Sequence, residues 1–274
     1  MKKNLIKTAL ELSDMTYVST ELQDHVLLIG LNRPEKRNAF TSTMISQLAD
    51  AYERLEEDEQ IRCGVLFAHG DHFTAGLDLV EITPKIMQGA SFIDEDKIDP
   101  WGVYSKKKRT KPVVVAVNGM CLTLGIELAL AGDIIVASSD AQFAQIEIKR
   151  GIYAFAGASI RMVERVGRGN AMRYLLTGDT YSAETAYRIG MVQEITKPGE
   201  ALSKAKEIAE TIAKQAPLGV RQIMVTADMA TTQALPEGIS AHFLNTIRQL
   251  MQSEDGKEGF KSFMERRDAV FVGR

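Results

Sequence analysis

The stretch from Lys111 to Gly151, KPVVVAVNGMCLTLGIELALAGDIIVASSDAQFAQIEIKRG, constrains the fold more than any other part of the chain. Val113 to Val117 is an unbroken apolar run, the pattern of a strand covered on both faces. Asn118-Gly119 then supplies a turn, and a short helix carrying Glu127 follows. A second apolar strand spans Ile134 to Ala137, and a third short run, Ala141 to Ile148, includes Glu147. Ile126 and Leu128 flank one acid; Ile146 and Ile148 flank the other. Acids are rarely placed among core residues without a partner or a task. Two in one core-like stretch point to a paired-carboxylate site.

The chain has 274 residues, room for one large domain or for one domain with an appendage. A formal net charge of −3 gives no electrostatic reason to expect nucleic acid or an anionic membrane as the main partner. Cys63 and Cys121 both lie in apolar runs and read as small core residues suited to a reducing compartment. Cys121 has no histidine near it in sequence to make it a nucleophile. Lys7, Glu11 and Asp14 interrupt any apolar segment after the Met-Lys-Lys start, so no signal peptide is expected, and no run of 18 apolar residues is present. The expected location is the cytoplasm.

In chain order, residues 1–15 read as a polar leader. Thr16 to Thr20 and His25 to Leu31 read as two strands joined by a turn. A polar loop, Asn32 to Asn38, precedes an amphipathic helix over 41–57, whose Phe40, Met44, Leu48, Tyr52 and Leu55 recur every three or four residues. Ile61 to Ala68 is a strand, and His69-Gly70-Asp71-His72 is the turn after it. That histidine pair lacks a third ligand at a supporting spacing, so no metal is expected. Gly76 permits a tight turn into a helix with Asp78 at its start. Thr83 to Thr110 has no readable pattern; it holds the lone tryptophan, Trp101, and a basic run, Lys106 to Arg109, read as a solvated helix end. Helices are expected over 157–166 and 169–177, from Ser182, and over 199–214, 217–230, 237–252 and 257–267, with a strand at Met191 to Ile195. Strands dominate the first half and helices the second.

Leu77 and Leu124 sit near helix starts, where backbone N–H groups lack intrahelical partners. Two such donors converging on one oxygen would stabilise developing negative charge. With two carboxylates added, the inventory suits proton transfer beside a carbonyl through an enolate-like intermediate. The competing reading is that both acids merely pair with arginines in the core.

Five segments, in register along the chain, resemble one family: Asn32-Arg33-Pro34-Glu35-Lys36-Arg37-Asn38-Ala39, Phe73 to Leu79, Val117 to Ala129, Gln142 to Ile148 and Glu258 to Arg267. The family is the crotonase, or enoyl-CoA hydratase/isomerase, superfamily, and the likeness runs from about Tyr17 to the end. The resemblance implies an α/β fold, a spiral of β-β-α units over residues 1–200, with a C-terminal helical oligomerisation region over 201–274. It implies a homo-oligomer, trimer or hexamer, acting on an acyl-CoA thioester, with coenzyme A entering as part of the substrate and no other cofactor. The thioester oxygen would be held by the N–H groups of Leu77 and Leu124. Coenzyme A would lie along Lys36, Arg37, Ala39, Ala75, Asp78, Leu79 and Val80. Glu127 and Glu147 fall on the two catalytic acids of the hydratases, which implies hydration of a 2-enoyl-CoA.

Within that expectation the two acids divide by environment. Glu127 lies in the first turn of its helix, where the dipole favours the ionised form of a base that activates water. Glu147, between two isoleucines, would have its pKa raised by burial and would deliver a proton to the α-carbon. The chain departs from the family in two places. Thr123-Leu124-Gly125 stands where a run of glycines is usual, and Ile152 to Gly157 replaces a Pro-Gly-containing loop, which puts Tyr153 and Phe155 at the acyl pocket. These departures keep open another acyl-CoA reaction, such as isomerisation or thioester hydrolysis, or a non-catalytic acyl-CoA binder. An RNA-binding role through Lys106 to Arg109 is disfavoured by the acidic balance.

Overall fold

The computed structural model describes residues 16–88, 94–232 and 249–274. The expected leader over 1–15, residues 89–93 of the unpatterned segment, and most of the helix expected over 237–252 lie outside the described residues.

Strands β1 (Val18–Gln23) and β2 (Val26–Leu31) form an antiparallel hairpin turned at Asp24, which takes a positive φ of 50°. Every residue of β2 is buried. Next comes α1 (Ser42–Glu57), whose N-cap Thr41 accepts a hydrogen bond from Met44 N at 3.1 Å. The helix turns Met44, Ile45, Leu48, Tyr52 and Leu55 inward, as the sequence spacing requires. Strand β3 (Cys63–Ala68) and helix α2 (Leu79–Met87) make the next turn of the chain. Then come β4 (Val113–Val117), β5 (Met120–Leu122) and α3 (Leu124–Ala131), followed by β6 (Ile134–Ser138), β7 (Gln142–Ala144) and α4 (Ala158–Leu175). The two helices expected over 157–166 and 169–177 are the halves of α4, which breaks at Gly167 (φ 74°, ψ 153°). Strand β8 (Tyr181–Ser182), α5 (Ala183–Arg188) and β9 (Glu194–Thr196) complete the sheets.

The topology repeats one unit. Each turn lays a long strand in a six-stranded sheet, ordered β1-β2-β3-β4-β6-β9 and parallel beyond the hairpin. It then makes a short extended segment and ends in a helix. The short segments stack in parallel on one another: Phe40 on Leu77, Thr74 on Cys121, and β5 on β7, which β8 extends antiparallel. Four successive turns, through Phe40, Thr74, β5 and β7, thus build an α/β spiral, and the entrances to their helices lie side by side.

Two apolar layers hold the spiral. One lies between the sheets and α1, α3 and α4. On the outer face, α6 (Ala201–Ala213) presents Ala201, Ala205, Ala209 and Ala213 to Val26, Val65, Val114 and Val136. Alanines four residues apart line one stripe of a helix, which lets its backbone approach the sheet closely. Helices α7 (Pro217–Thr232) and α8 (Glu254–Glu265) follow.

The basic run is neither a helix end nor a free patch. The guanidinium of Arg109 makes hydrogen bonds of 2.8 and 3.0 Å to Asp133 and donates to the carbonyls of Lys111 and Ala131. Asp133 also accepts from Val113 N at 2.7 Å, so this pair fixes the start of β4. Lys107 faces Glu53, and Lys108 donates to the Gly102 carbonyl.

Candidate active site

Two backbone turns on neighbouring units define the site. Gly76 (φ 93°) precedes Leu77, and Thr123 (φ 51°, ψ −118°) precedes Leu124. A Cβ on Gly76 would lie 1.9 Å from Thr123 Oγ1, so the two turns touch and only glycine fits there. The bonds Thr74 N to Met120 O and Leu122 N to Thr74 O, both 3.0 Å, hold the segments in register. Leu124 opens α3, while Leu77 lies two residues before α2 begins. Neither amide has an acceptor among the described residues, and both leucines line the same pocket. Two such backbone donors brought to one oxygen would stabilise negative charge on it.

Glu127 is almost fully buried on α3. Its Oε1 accepts from Ala156 N at 2.7 Å and Ala158 N at 3.1 Å. Burial pushes its pKa up to about 7, the negative charge of Glu147 pushes the same way, and the two amides and Arg161 oppose them. The helix dipole, expected to keep this acid ionised, is outweighed by desolvation. Glu147 lies in a short 3₁₀ turn, Ile146–Arg150, and burial raises it to about 7 as well. With the Gln145 amide oriented by its surroundings, its nitrogen donates to both Glu147 oxygens at 3.0 Å and to Thr123 O at 3.2 Å. Glu127's partners are backbone amides and Glu147's is an amide side chain, so neither acid serves as half of a core arginine pair.

The pocket that Leu77 and Leu124 share is apolar, lined also by Ile45, Trp101, Tyr104, Phe155 and Ala156, whose N–H holds Glu127. Its free volume is about 10 Å3, room for about one water molecule. Phe155 is among the residues that line this pocket. Tyr153 is not among its lining and is 67% exposed, because the loop turns it outward. Trp101 closes the far side: it packs edge-on against Phe40, and its Nε1 donates to Leu124 O at 3.1 Å. Asp99 organises this wall by accepting from the amides of Trp101, Val103 and Tyr104 at 2.7–2.8 Å.

The residues expected along coenzyme A gather at one edge. Lys36 and Arg37 are exposed, and Ala75 N donates to Arg37 O at 2.9 Å. Arg33, which sequence reasoning passed over, donates to Ala39 O and to Asp78 Oδ2, each at 3.0 Å. Asp78 therefore occupies the N-cap position of α2 but spends its carboxylate on Arg33, without a side-chain cap bond. Leu79 and Val80 are exposed beside it. The histidines of the preceding turn have local partners: His69 bonds Ser19 at 2.7 Å, and His72 Nδ1 accepts from Met120 N. Trp101, Tyr104, Ile45 and Ala156 were not anticipated. The lone tryptophan was the one available signal.

The enoyl-CoA hydratase/isomerase family model matches residues 21–274. The chain is 33% identical over 259 residues to the enoyl-CoA hydratase EchA19 of Mycobacterium tuberculosis, covering 93% of this chain and 96% of that protein. It is 36% identical to the mevalonyl-coenzyme A hydratase SIDH of Beauveria bassiana, over 91% of this chain and 92% of that one. Among solved structures, a probable enoyl-CoA hydratase/isomerase from Mycobacterium abscessus superposes with a TM-score of 0.90 at 47% identity, covering 94% of this chain and 99% of that chain. A match that spans nearly the whole chain in both sequence and structure settles the family: this chain belongs to the enoyl-CoA hydratase/isomerase family.

Proposed function

We propose that this family member is a hydro-lyase that adds water across the 2,3 double bond of a 2-enoyl-CoA, with Glu127 as base and Glu147 as acid. The observation that supports the reading is the pair of buried carboxylates, both raised to about 7, with the charge of Glu147 felt at Glu127 and Glu127 held by the amide of Ala156, which lines one pocket with Leu77 and Leu124. Groups that titrate near the working pH exchange protons most effectively.

The assignment of roles follows from the partners. Two backbone donors fix Oε1 of Glu127, which leaves Oε2 to take a proton from water. The water oxygen bonds to the β-carbon as the double-bond electrons move onto the thioester oxygen. Leu77 N–H and Leu124 N–H stabilise that enolate oxygen, and such a donor typically contributes about a hundredfold to a thousandfold in rate. Glu147, aimed by Gln145, gives its proton to the α-carbon as the thioester carbonyl re-forms. Return of the proton from Glu127 to Glu147 resets the pair. The chemistry draws only on these groups, with coenzyme A entering as part of the substrate along Lys36, Arg37 and Arg33. The two free, buried cysteines suit the cytoplasm, and among the described residues no helix is long and apolar enough to cross a membrane.

The test is a panel of 2-enoyl-CoA chain lengths, followed by loss of the conjugated thioester's absorbance. Turnover of at least one member is expected. Binding without turnover across the panel would replace the reading with that of an acyl-CoA binder.

A further inference from the structure

The loop that carries Tyr104 and the loop that carries Phe155 meet above Glu127. The Tyr104 hydroxyl donates to the Phe155 carbonyl at 2.9 Å. The N–H on the other side of that same peptide group, Ala156 N, donates to Glu127 Oε1 at 2.7 Å. Donor, peptide and carboxylate are thus in series, and the peptide is fixed from both ends. A hydrogen bond received at a carbonyl polarises its amide and strengthens what the N–H donates. It also stops the peptide from tilting out of line.

We propose that Tyr104 is a positioning residue for Glu127, acting through the Phe155–Ala156 peptide to align and strengthen the amide that holds the carboxylate. The role in catalysis rests on Glu127 being the base of the hydration proposed above; the coupling itself does not. Tyr104 is part of an ordered wall: its own backbone N–H donates to Asp99 Oδ2 at 2.7 Å. The loop after Gly151 has none of its residues in a sheet, so it needs such a tie from outside. Arg161 on α4 adds a restraint nearby, donating to Ala156 O at 3.4 Å.

The charged and titratable groups around Glu127 are Glu147 from the 3₁₀ turn, Arg161 from α4 and Tyr104 from the opposite loop, with Asp99 acting on Arg161. Replacing Tyr104 with phenylalanine alters none of the others and keeps the ring that lines the pocket. The ionised form of Glu127 is the one favoured by a donated N–H. Weakening that donor therefore moves the carboxyl's titration upward.

The experiment titrates the unliganded protein labelled with 13C at the glutamate carboxyls, with the Glu127 resonance assigned by its absence in Glu127→Gln. In Tyr104→Phe the Glu127 midpoint is expected to rise by about half a pH unit. With 3-fluorotyrosine at position 104, whose more acidic hydroxyl is the stronger donor, the midpoint is expected to fall. The lower limb of the kcat/KM profile should move with it. An unmoved midpoint in both proteins would overturn the relay and leave Tyr104 as pocket lining. A midpoint that moves in a protein that hydrates no enoyl-CoA would support the relay and overturn the hydration reading alone.

Discussion

Glu127 and Glu147 each cost the fold something to keep, and the sign of that cost is measurable. An acid whose pKa is raised from 4.5 to about 7 on folding binds its proton more tightly in the native state. Its contribution to stability is fully present below the unfolded value and is lost as pH rises through about 7. Unfolding free energy is therefore expected to fall between those two pH values, as read by denaturant melts across the range. Glu147→Gln should flatten part of that slope and melt higher than the wild type on the alkaline side. The same substitution, and Glu127→Gln, should lower turnover by about a hundredfold or more, the usual scale for general acid–base groups. A variant that hydrates at near wild-type rate would show its acid to be structural. Both acids were legible because an ionisable residue between isoleucines and leucines contradicts its surroundings. Tyr104 and Trp101 were not, since the chain between α2 and β4 has no period to read and their roles arise only when another turn of the spiral arrives. The dipole argument for Glu127 failed for a related reason: local sequence shows the helix end but not how much of the protein lies over it.

At the level of elements, periodicity located what packing demanded. The helix expected over 41–57 is observed at Ser42–Glu57, because its apolar positions recur at helical spacing and Thr41 caps it. A glycine with positive φ breaks α4 where the sequence had shown two helices. Failure came with charge. Four consecutive cations read as a solvated run, yet Arg109 turns back to Asp133 and two carbonyls, an arrangement set by a residue on a later turn. Helix α6 offers a direct test of close packing. Ala205 is fully buried against the sheet, so Ala205→Leu should overfill the layer and cost about 1–3 kcal/mol in chemical denaturation. A loss within a few tenths of a kcal/mol would show that α6 can ride away from the strands.

For the whole molecule, the surface that asks for a partner lies on α8. Phe260, Phe263 and Met264 are 71%, 78% and 65% exposed on one helix that the tail pins in place, since Asp255 accepts from Val272 N and Gly273 N. Three large apolar side chains on a fixed helix are costly to leave in water, and in the trimer or hexamer that the family resemblance implies a second copy of the chain would cover them. The double variant Phe260→Ser/Phe263→Ser should fall to a smaller species in light scattering and keep its circular dichroism. An unchanged mass would place the contact elsewhere.

The stacking of Phe40 on Leu77, Thr74 on Cys121 and β5 on β7 has a consequence for how such a site can vary. The turns are registered by those short segments and by the sheet, not by the loops that leave them. A loop can therefore lengthen, shorten or change composition while the amides of Leu77 and Leu124 keep their spacing, because Gly76 and Thr123 meet beneath it. Reaction geometry and substrate choice are in this sense inherited separately. Transplanting the segment between α2 and β4 from one relative to another should carry acyl preference with it and leave the chemistry behind.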